Sequence, residues 1–194
     1  MRALLKTLLH ALFLTLVFPL ALASGFGRLD GPFVFWAQLC ALFPGIPGDY
    51  LRIAYYRLTL EHCELDSRIQ FGSFFAHAQA RVGHRVYIGA NCILGQTRVG
   101  DRAQIASGVQ ILSGADQHSY DPAGTLSGSE GGKRSWVNVG PDCWIGAAAV
   151  IMADVGPGTI IGAGSVVTKP IPPGSIAVGS PARVIRSRTN ATEA

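Results

Sequence analysis

Between Cys63 and Val167 an apolar residue returns at every sixth position, in five runs of three. The runs are Cys63, Ile69, Phe75; then Val82, Ile88, Leu94; then Val99, Ile105, Ile111; then Val139, Ile145, Ile151; and last Val155, Ile161, Val167. Steps of seven, five and four residues separate neighbouring runs, apart from one long break after Ile111. A period of six fits neither the 3.6 of an amphipathic helix nor the 2 of a half-buried strand. It fits short strands joined by tight turns, each side of a coil pointing one apolar side chain inward, which is the hexapeptide pattern of a β-helix. Glycine or alanine follows many of these positions, as in Val82-Gly83, Ile88-Gly89, Ile105-Ala106 and Ile145-Gly146, and a small residue lets the backbone turn without a clash. Stacked coils bury a continuous apolar column, and about 1.5–3 kcal/mol per buried aliphatic side chain offsets the entropy lost on ordering. The pattern predicts an all-β solenoid over residues 63–172.

The long break is "SGADQHSYDPAGTLSGSEGGKRSW", Ser113 to Trp136. A stacked structure tolerates so much irregular backbone where the coils on either side still meet, so residues 113–136 are expected to leave the stack as a loop.

Charged residues make up only 14% of the 194-residue chain, and 24 residues are glycine, which excludes the composition of a disordered polyelectrolyte. The net charge of +4 comes without a basic run interleaved with aromatics, so no nucleic-acid partner is expected. Part of the excess sits in the tail, "RVIRSR", where it suits an anionic cofactor. Cys40, Cys63, Cys92 and Cys143 are widely spaced and stand at apolar positions, which reads as small buried hydrophobes in a reducing compartment.

The N-terminus is a separate unit, residues 1–50. From Thr7 to Gly27 there is no Asp, Glu, Lys or Arg, close to the ~20 residues that cross a bilayer. The "ALA" at Ala21–Ala23 resembles a signal-peptidase site, so a cleaved signal peptide is one reading. A second uncharged stretch from Gly31 to Gly48, punctuated by proline, suits a short returning or interfacial helix. Arg2 and Lys6 precede the pair, and Arg52 and Arg57 follow it. Positive charge on both flanks puts both on the cytoplasmic side, as in a hairpin dipping into the membrane. Residues 51–62, "LRIAYYRLTLEH", read as a bridging helix into the solenoid.

The segments "VGDRAQIASGVQILSGADQHSYD" and "VNVGPDCWIGAAAVIMADVGPGTIIGAGSVVTKPIPPGSIAVGSPARVI" resemble the left-handed β-helix acyltransferases with hexapeptide repeats. The similarity covers about Cys63 to Arg186 and is nearest to the O-acetyltransferase branch, which includes maltose, galactoside and exopolysaccharide acetyltransferases. The resemblance alone implies the left hand of the helix, since parallel crossovers are normally right-handed. It also implies a homotrimer with active sites in the grooves between subunits, and acetyl-CoA as donor. On the same grounds His118, in "ADQHSYDP", is the catalytic base, with Asn91 in "GANCIL" near the position of an acetyl-contacting asparagine. Asparagine also tolerates a left-handed corner, so a purely structural role for Asn91 stays open. Asp116 and Tyr120 are candidate acceptor-binding residues in the loop. Trp144, Ala147 and Ala163 are implied along the pantetheine arm, and Thr168, Lys169, Arg183 and Arg186 at the nucleotide end, where cations match phosphate. One departure is "IMADVGPGTI", shorter than the usual two hexads. The residues 173–194 are read as a C-terminal tail.

The chemistry suits the roles. Transfer of an acetyl group from a thioester to a hydroxyl requires the hydroxyl proton to leave as it attacks, and a neutral imidazole removes it near neutral pH. The expected activity is therefore acetyl-CoA-dependent O-acetylation of a sugar hydroxyl, on a glycan or lipid-linked intermediate of cell-surface polysaccharide assembly, at the cytoplasmic face of the plasma membrane. The alternatives are a membrane-tethered scaffold without catalysis and a zinc protein like the γ-type carbonic anhydrases. His84 and His118 have a suitable separation for the latter, but Ala123 stands where a third ligand is needed, so no metal is expected.

Overall fold

A computed structural model of the chain describes residues 2–114, 119–120, 123–127 and 135–188. Residues 62–178 wind into a parallel β-helix with three faces. The first face stacks the strands His62–Cys63, Arg81–Val82, Thr97–Val99 and Val137–Val139, and Val155 and Ile171 continue it as single bridges. The second stacks Arg68–Ile69, Tyr87–Ile88, Gln104–Ile105, Trp144–Ile145, Ile160–Ile161 and Ser175–Val178. The third stacks Phe74–Phe75, Ile93–Leu94, Gln110–Ile111, Val150–Ile151 and Val166–Val167.

All fifteen residues of the six-residue pattern point inward, and none is more than 3% exposed. They stack in register from coil to coil, as in Ile69, Ile88, Ile105, Ile145 and Ile161 on the second face. A second inward position, two residues earlier, takes small residues or valine: Ala80, Cys92, Ala103, Cys143 and Ala149, and Val86, Val109 and Val137, are all buried there. Serine at this position serves the backbone of the next coil, Ser67 Oγ donating to the carbonyl of Gly83 and Ser73 Oγ to that of Gly89, each at 2.6 Å. Cys92 and Cys143 are thus small core residues, and all four cysteines are buried and free.

The irregular steps have one location. From the first face to the second, and from the second to the third, successive inward residues are always six apart. From the third face back to the first, the steps run Phe75 to Val82, Leu94 to Val99, Ile111 to Val139, Ile151 to Val155 and Val167 to Ile171. Every change of length falls at that third corner, and the long loop is its largest case. The short "IMADVGPGTI" segment turns the same corner in fewer residues, and Val155 still bridges Val139 and Ile171. The last strand, Arg183–Ser187, folds back antiparallel on Ser175–Val178 and ends the stack, so residues 173–188 cap the solenoid.

Three helices cover the other end: α1 (Arg2–Ala23), α2 (Asp30–Ala41) and α3 (Gly45–Thr59). α3 begins before the expected bridging helix, since Pro47 in its first turn forfeits no helical hydrogen bond, and it ends where Leu60 turns extended. α3 packs on the first strands of the first and second faces and α2 on that of the third, while α1 lies outermost, mainly along α3. The α1–α2 turn needs glycine at Gly27, where a Cβ would stand 2.1 Å from the carbonyl oxygen of Thr59. The aromatic pair Tyr55 and Tyr56 joins the layers: Tyr55 donates to the carbonyl of Phe33 in α2 at 3.0 Å, and the Tyr56 hydroxyl accepts from the N–H of Phe75 at 3.2 Å.

Arg52 corrects one sequence expectation. It is fully buried rather than a flanking charge at a membrane surface. Its Nε donates to the carbonyl of Ile69, and Nη1 to those of Cys40, Ala41 and Phe43 at the end of α2. Nη2 pairs with Asp49 at 2.7 Å, and Asp49 also accepts from Arg68 and Gln70. A guanidinium is taken out of water here because five oxygens replace its hydration. Arg57 remains exposed.

Candidate active site

The excursion from the third corner is closed at its root. The N–H of Ser135 donates to the carbonyl of Ser113 at 3.0 Å, and Ser113 Oγ accepts from the N–H of Gln96 at 2.9 Å. Gly114, at φ +85, is needed there because a Cβ would lie 1.9 Å from Ser135 Oγ. The pinch lets Val137–Val139 resume in register on Thr97–Val99 as though nothing intervened. Beyond it, Ser119–Tyr120 and Leu126–Ser127 pair antiparallel as a projecting arm. Tyr120 and Leu126 on this arm are 71% and 52% exposed. His118 and Asp116 lie outside the described residues; His118 immediately precedes the arm in sequence.

The other candidates occupy three places. Asn91, Ala147 and Ala163 share the second corner, on coils two, four and five. Asn91 has φ +57 and donates its N–H to the carbonyl of Phe71, in the same ladder position as Gly72, Gly108, Ala148 and Gly164. Those left-handed residues carry the coil-to-coil hydrogen bonds of this corner: Gly108 donates to Ala90, Ala148 to Ser107 and Gly164 to Ala147. The N–H groups of Ala147 and Ala163 take no part in that ladder, and both residues are exposed. Trp144 stands beside them on the outer side of the second face, 57% exposed between Gln104 and Ile160. Thr168 and Lys169 are exposed at the third corner, two coils beyond the loop root. Arg183 and Arg186 are exposed on the capping strand, Arg186 in register with Ile176. Within one chain, then, the loop with Thr168 and Lys169 lies along one corner, and Asn91, Ala147 and Ala163 along another.

A pair not singled out from sequence stands at the loop root. The Arg98 guanidinium lies 3.9 Å from the centroid of the Trp136 ring, on the outer side of the first face. The signal was the register: Trp136 and Asn138 point the same way two residues apart, and Asn138 stacks beside Arg98.

Other reactive groups serve structure. Burial pushes all four thiols up, Cys40 and Cys63 to about 12, so none supplies a thiolate nucleophile at neutral pH. His62 pairs with Glu64 at 3.1 Å, and His84 with Asp66 at 3.3 Å, yet among the described residues no three His, Cys, Asp or Glu side chains converge on a metal position. A cavity of about 310 Å³ beneath α1, lined by Lys6, His10, Asp49, Tyr50, Asp66 and Arg68, belongs to the joint between helices and first coil, far from the cap and loop.

Residues 79–113 and 137–169 match the family described as hexapeptide repeat of succinyl-transferase, so the solenoid is a hexapeptide-repeat β-helix interrupted only by its loop. Among solved structures, a galactoside acetyltransferase in complex with coenzyme A is 22% identical, over 88% of this chain and 86% of its own, with a TM-score of 0.72. A maltose O-acetyltransferase from Clostridium difficile 630 is 23% identical, over 86% of this chain and 90% of its own, with a TM-score of 0.67. An N-acyltransferase from Bacillus cereus, in complex with dTDP-4-amino-4,6-dideoxyglucose and coenzyme A, is 20% identical, over 69% and 87%, with a TM-score of 0.52. No curated protein matches the chain. The fold is that of the left-handed β-helix acetyltransferases, and superposition on them fixes the hand of this one, because a right-handed coil does not overlay a left-handed one.

Proposed function

We propose that this chain is an acyl-CoA-dependent acyltransferase, with acetyl-CoA as donor, that O-acetylates a sugar hydroxyl. The observation that carries this is a hexapeptide β-helix whose third corner opens into a long loop pinched at Ser113 and Ser135, and whose second corner exposes the Ala147 and Ala163 N–H groups outside the coil ladder. The residues fit coenzyme A: exposed backbone donors and Trp144 suit the pantetheine arm, and Lys169, Arg183 and Arg186 suit its phosphates. Bound acetyl-CoA supplies the activated acyl group.

The chain's own part is positioning and proton transfer. His118 takes the proton of the attacking sugar hydroxyl, so transfer is direct, and the buried thiols leave no cysteine to carry an acyl group. Asn91 offers an amide donor to the acyl carbonyl oxygen. Asp116, Tyr120 and the arm line the acceptor side. Loop and second corner lie apart within one chain, so a homotrimer completes each site by bringing the loop of one copy to the second corner of the next. We further propose that it works at the cytoplasmic face of a membrane, on a glycan or lipid-linked precursor of cell-surface polysaccharide. The apolar α1, read here as retained, supports that placement, with Val17 and Ala21 packed into the helix layer.

The test is His118→Ala in the full-length protein, followed by CoA release from acetyl-CoA with free and lipid-linked saccharides as acceptors. Loss of a general base is expected to slow transfer by about 10²–10⁴-fold, with thermal unfolding unchanged. An unaltered rate removes His118 as the base, and acceptor-independent silence of the wild type favours the scaffold.

A further inference from the structure

An α-helix that is apolar all round has to be covered all round. α1 is such a helix: its segment Leu4–Ala23 has a mean hydropathy of 1.9, yet only 11% of its most apolar stretch is buried. The protein covers one stripe, where Val17 and Ala21 are buried and the Phe13 ring stacks on Tyr50 of α3 at 5.6 Å. On the other side Leu4, Leu5, Leu8, Leu12, Leu16 and Leu22 are each between 58 and 65% exposed.

We infer that α1 lies in the plane of the membrane interface as a monotopic anchor and does not cross the bilayer, with the solenoid standing on it by its first coil. This rests on the membrane placement proposed above and specifies its geometry. Length does not decide the matter, because 22 residues at 1.5 Å each make a helix of about 33 Å, long enough to span. Packing decides it. To cross, α1 must either leave α3, stripping cover from Tyr50 and the buried stripe, or draw α3 in with it. α3 is held to the first coil by Arg52 on Ile69 and by Tyr56 on Phe75, and it carries the Asp49–Arg52 pair. Neither that pair nor the coil enters hydrocarbon without a large penalty.

Charge points the same way. From Thr7 to Gly27 no residue is charged; the exposed Arg28 follows, while Lys6 precedes the stretch on the covered side, where it lines the cavity beneath α1. In an in-plane helix Arg28 meets the anionic headgroups of the leaflet that holds α1, and Lys6 stays on the solenoid side of the same interface. Phe35, Leu42, Phe43 and Ile46, all more than half exposed, add apolar surface within the same helical layer.

The test uses full-length Leu5→Cys, Leu12→Cys and Leu22→Cys variants, whose new thiols carry a fluorophore while the native cysteines stay buried. Each is bound to vesicles of phosphatidylethanolamine and phosphatidylglycerol with acyl chains brominated at shallow or deep positions. The expected result is that shallow bromines quench all three labels best, with shallow-to-deep ratios within about twofold of one another, as one depth requires. Deep quenching of Leu12→Cys with shallow quenching of the other two overturns the in-plane geometry and leaves membrane attachment standing. No quenching at any position overturns both and points to a protein partner on this surface. None of these readings depends on turnover, so they stand apart from the fate of the acyltransfer proposal. The double variant Leu12→Glu with Leu16→Glu leaves the buried stripe intact and is expected to weaken vesicle binding at least about tenfold; unchanged binding also overturns the anchor.

Discussion

Asn91 joins two demands in one side chain. Its backbone holds a left-handed corner, φ +57, that Gly72, Gly108 and Gly164 hold on other coils, and its Oδ1 lies over Gly72 where a Cβ would come within 2.0 Å. Its amide also stands on the corner proposed to face a neighbour's loop. Substitution separates the two. Asn91→Gly satisfies the backbone and removes the amide, so unfolding temperature is expected to hold while transfer falls by about 10²-fold, the scale of one lost oxyanion donor. Asn91→Ala loses the same amide and in addition costs about 1 kcal/mol, because alanine keeps the Cβ but lacks the short polar side chain that lets asparagine tolerate the left-handed conformation. Ala148, at φ 57 two coils on, shows that the corner bears such a residue. If Asn91→Gly acylates at the wild-type rate, the asparagine is a corner residue and nothing more.

Among the elements, one side chain ties α2, α3 and the first coil together. Arg52 donates to α2 through Cys40, Ala41 and Phe43, to the first coil through Ile69, and to α3 through Asp49. Arg52→Leu removes the donors to Asp49 Oδ1 and to the carbonyls of Ile69 and Phe43, and is expected to destabilise the chain by about 3–5 kcal/mol in denaturant titration. Arg52→Lys keeps the charge but not the fork, so it restores only part of the loss; full restoration by lysine would show that charge alone matters. The sequence placed Arg52 among surface cations because a buried guanidinium needs oxygens from three separate elements, and no local pattern announces that convergence. The solenoid was far more legible. Six-residue spacing named Ile69, Ile88, Ile105, Ile145 and Ile161 as one inward column, since each depends only on its own coil. Even the third corner was latent in the runs of three, because each run ends where one coil closes. The Arg98–Trp136 stack was not, since it needs the register across the loop. The lateral gap between Asn91 and the loop also stayed hidden: spacing gives the coil a residue occupies, but the corner follows only once the faces are assigned.

For the whole molecule, the separation of the two candidate corners makes a quantitative demand. The loop carrying His118 leaves the third corner, while Asn91, Ala147 and Ala163 stand at the second. The proposed homotrimer with cyclic symmetry would have three equivalent grooves, each formed by the third corner of one copy and the second corner of the next. A variant lacking the base, His118→Ala, then spoils only the loop half of a groove, and a variant with its corner filled, Ala163→Phe, spoils only the other half. Alone, each is expected to be inactive. Unfolded and refolded together in equal amounts, they form a groove with an intact loop from one parent and an intact corner from the other in one arrangement out of four, so activity is expected to return to about a quarter of wild type. If loop and corner of the same copy work together, every site in the mixture carries one lesion and no activity returns. The recovered fraction thus reads directly whether the irregular third corner serves its own coil or its neighbour's.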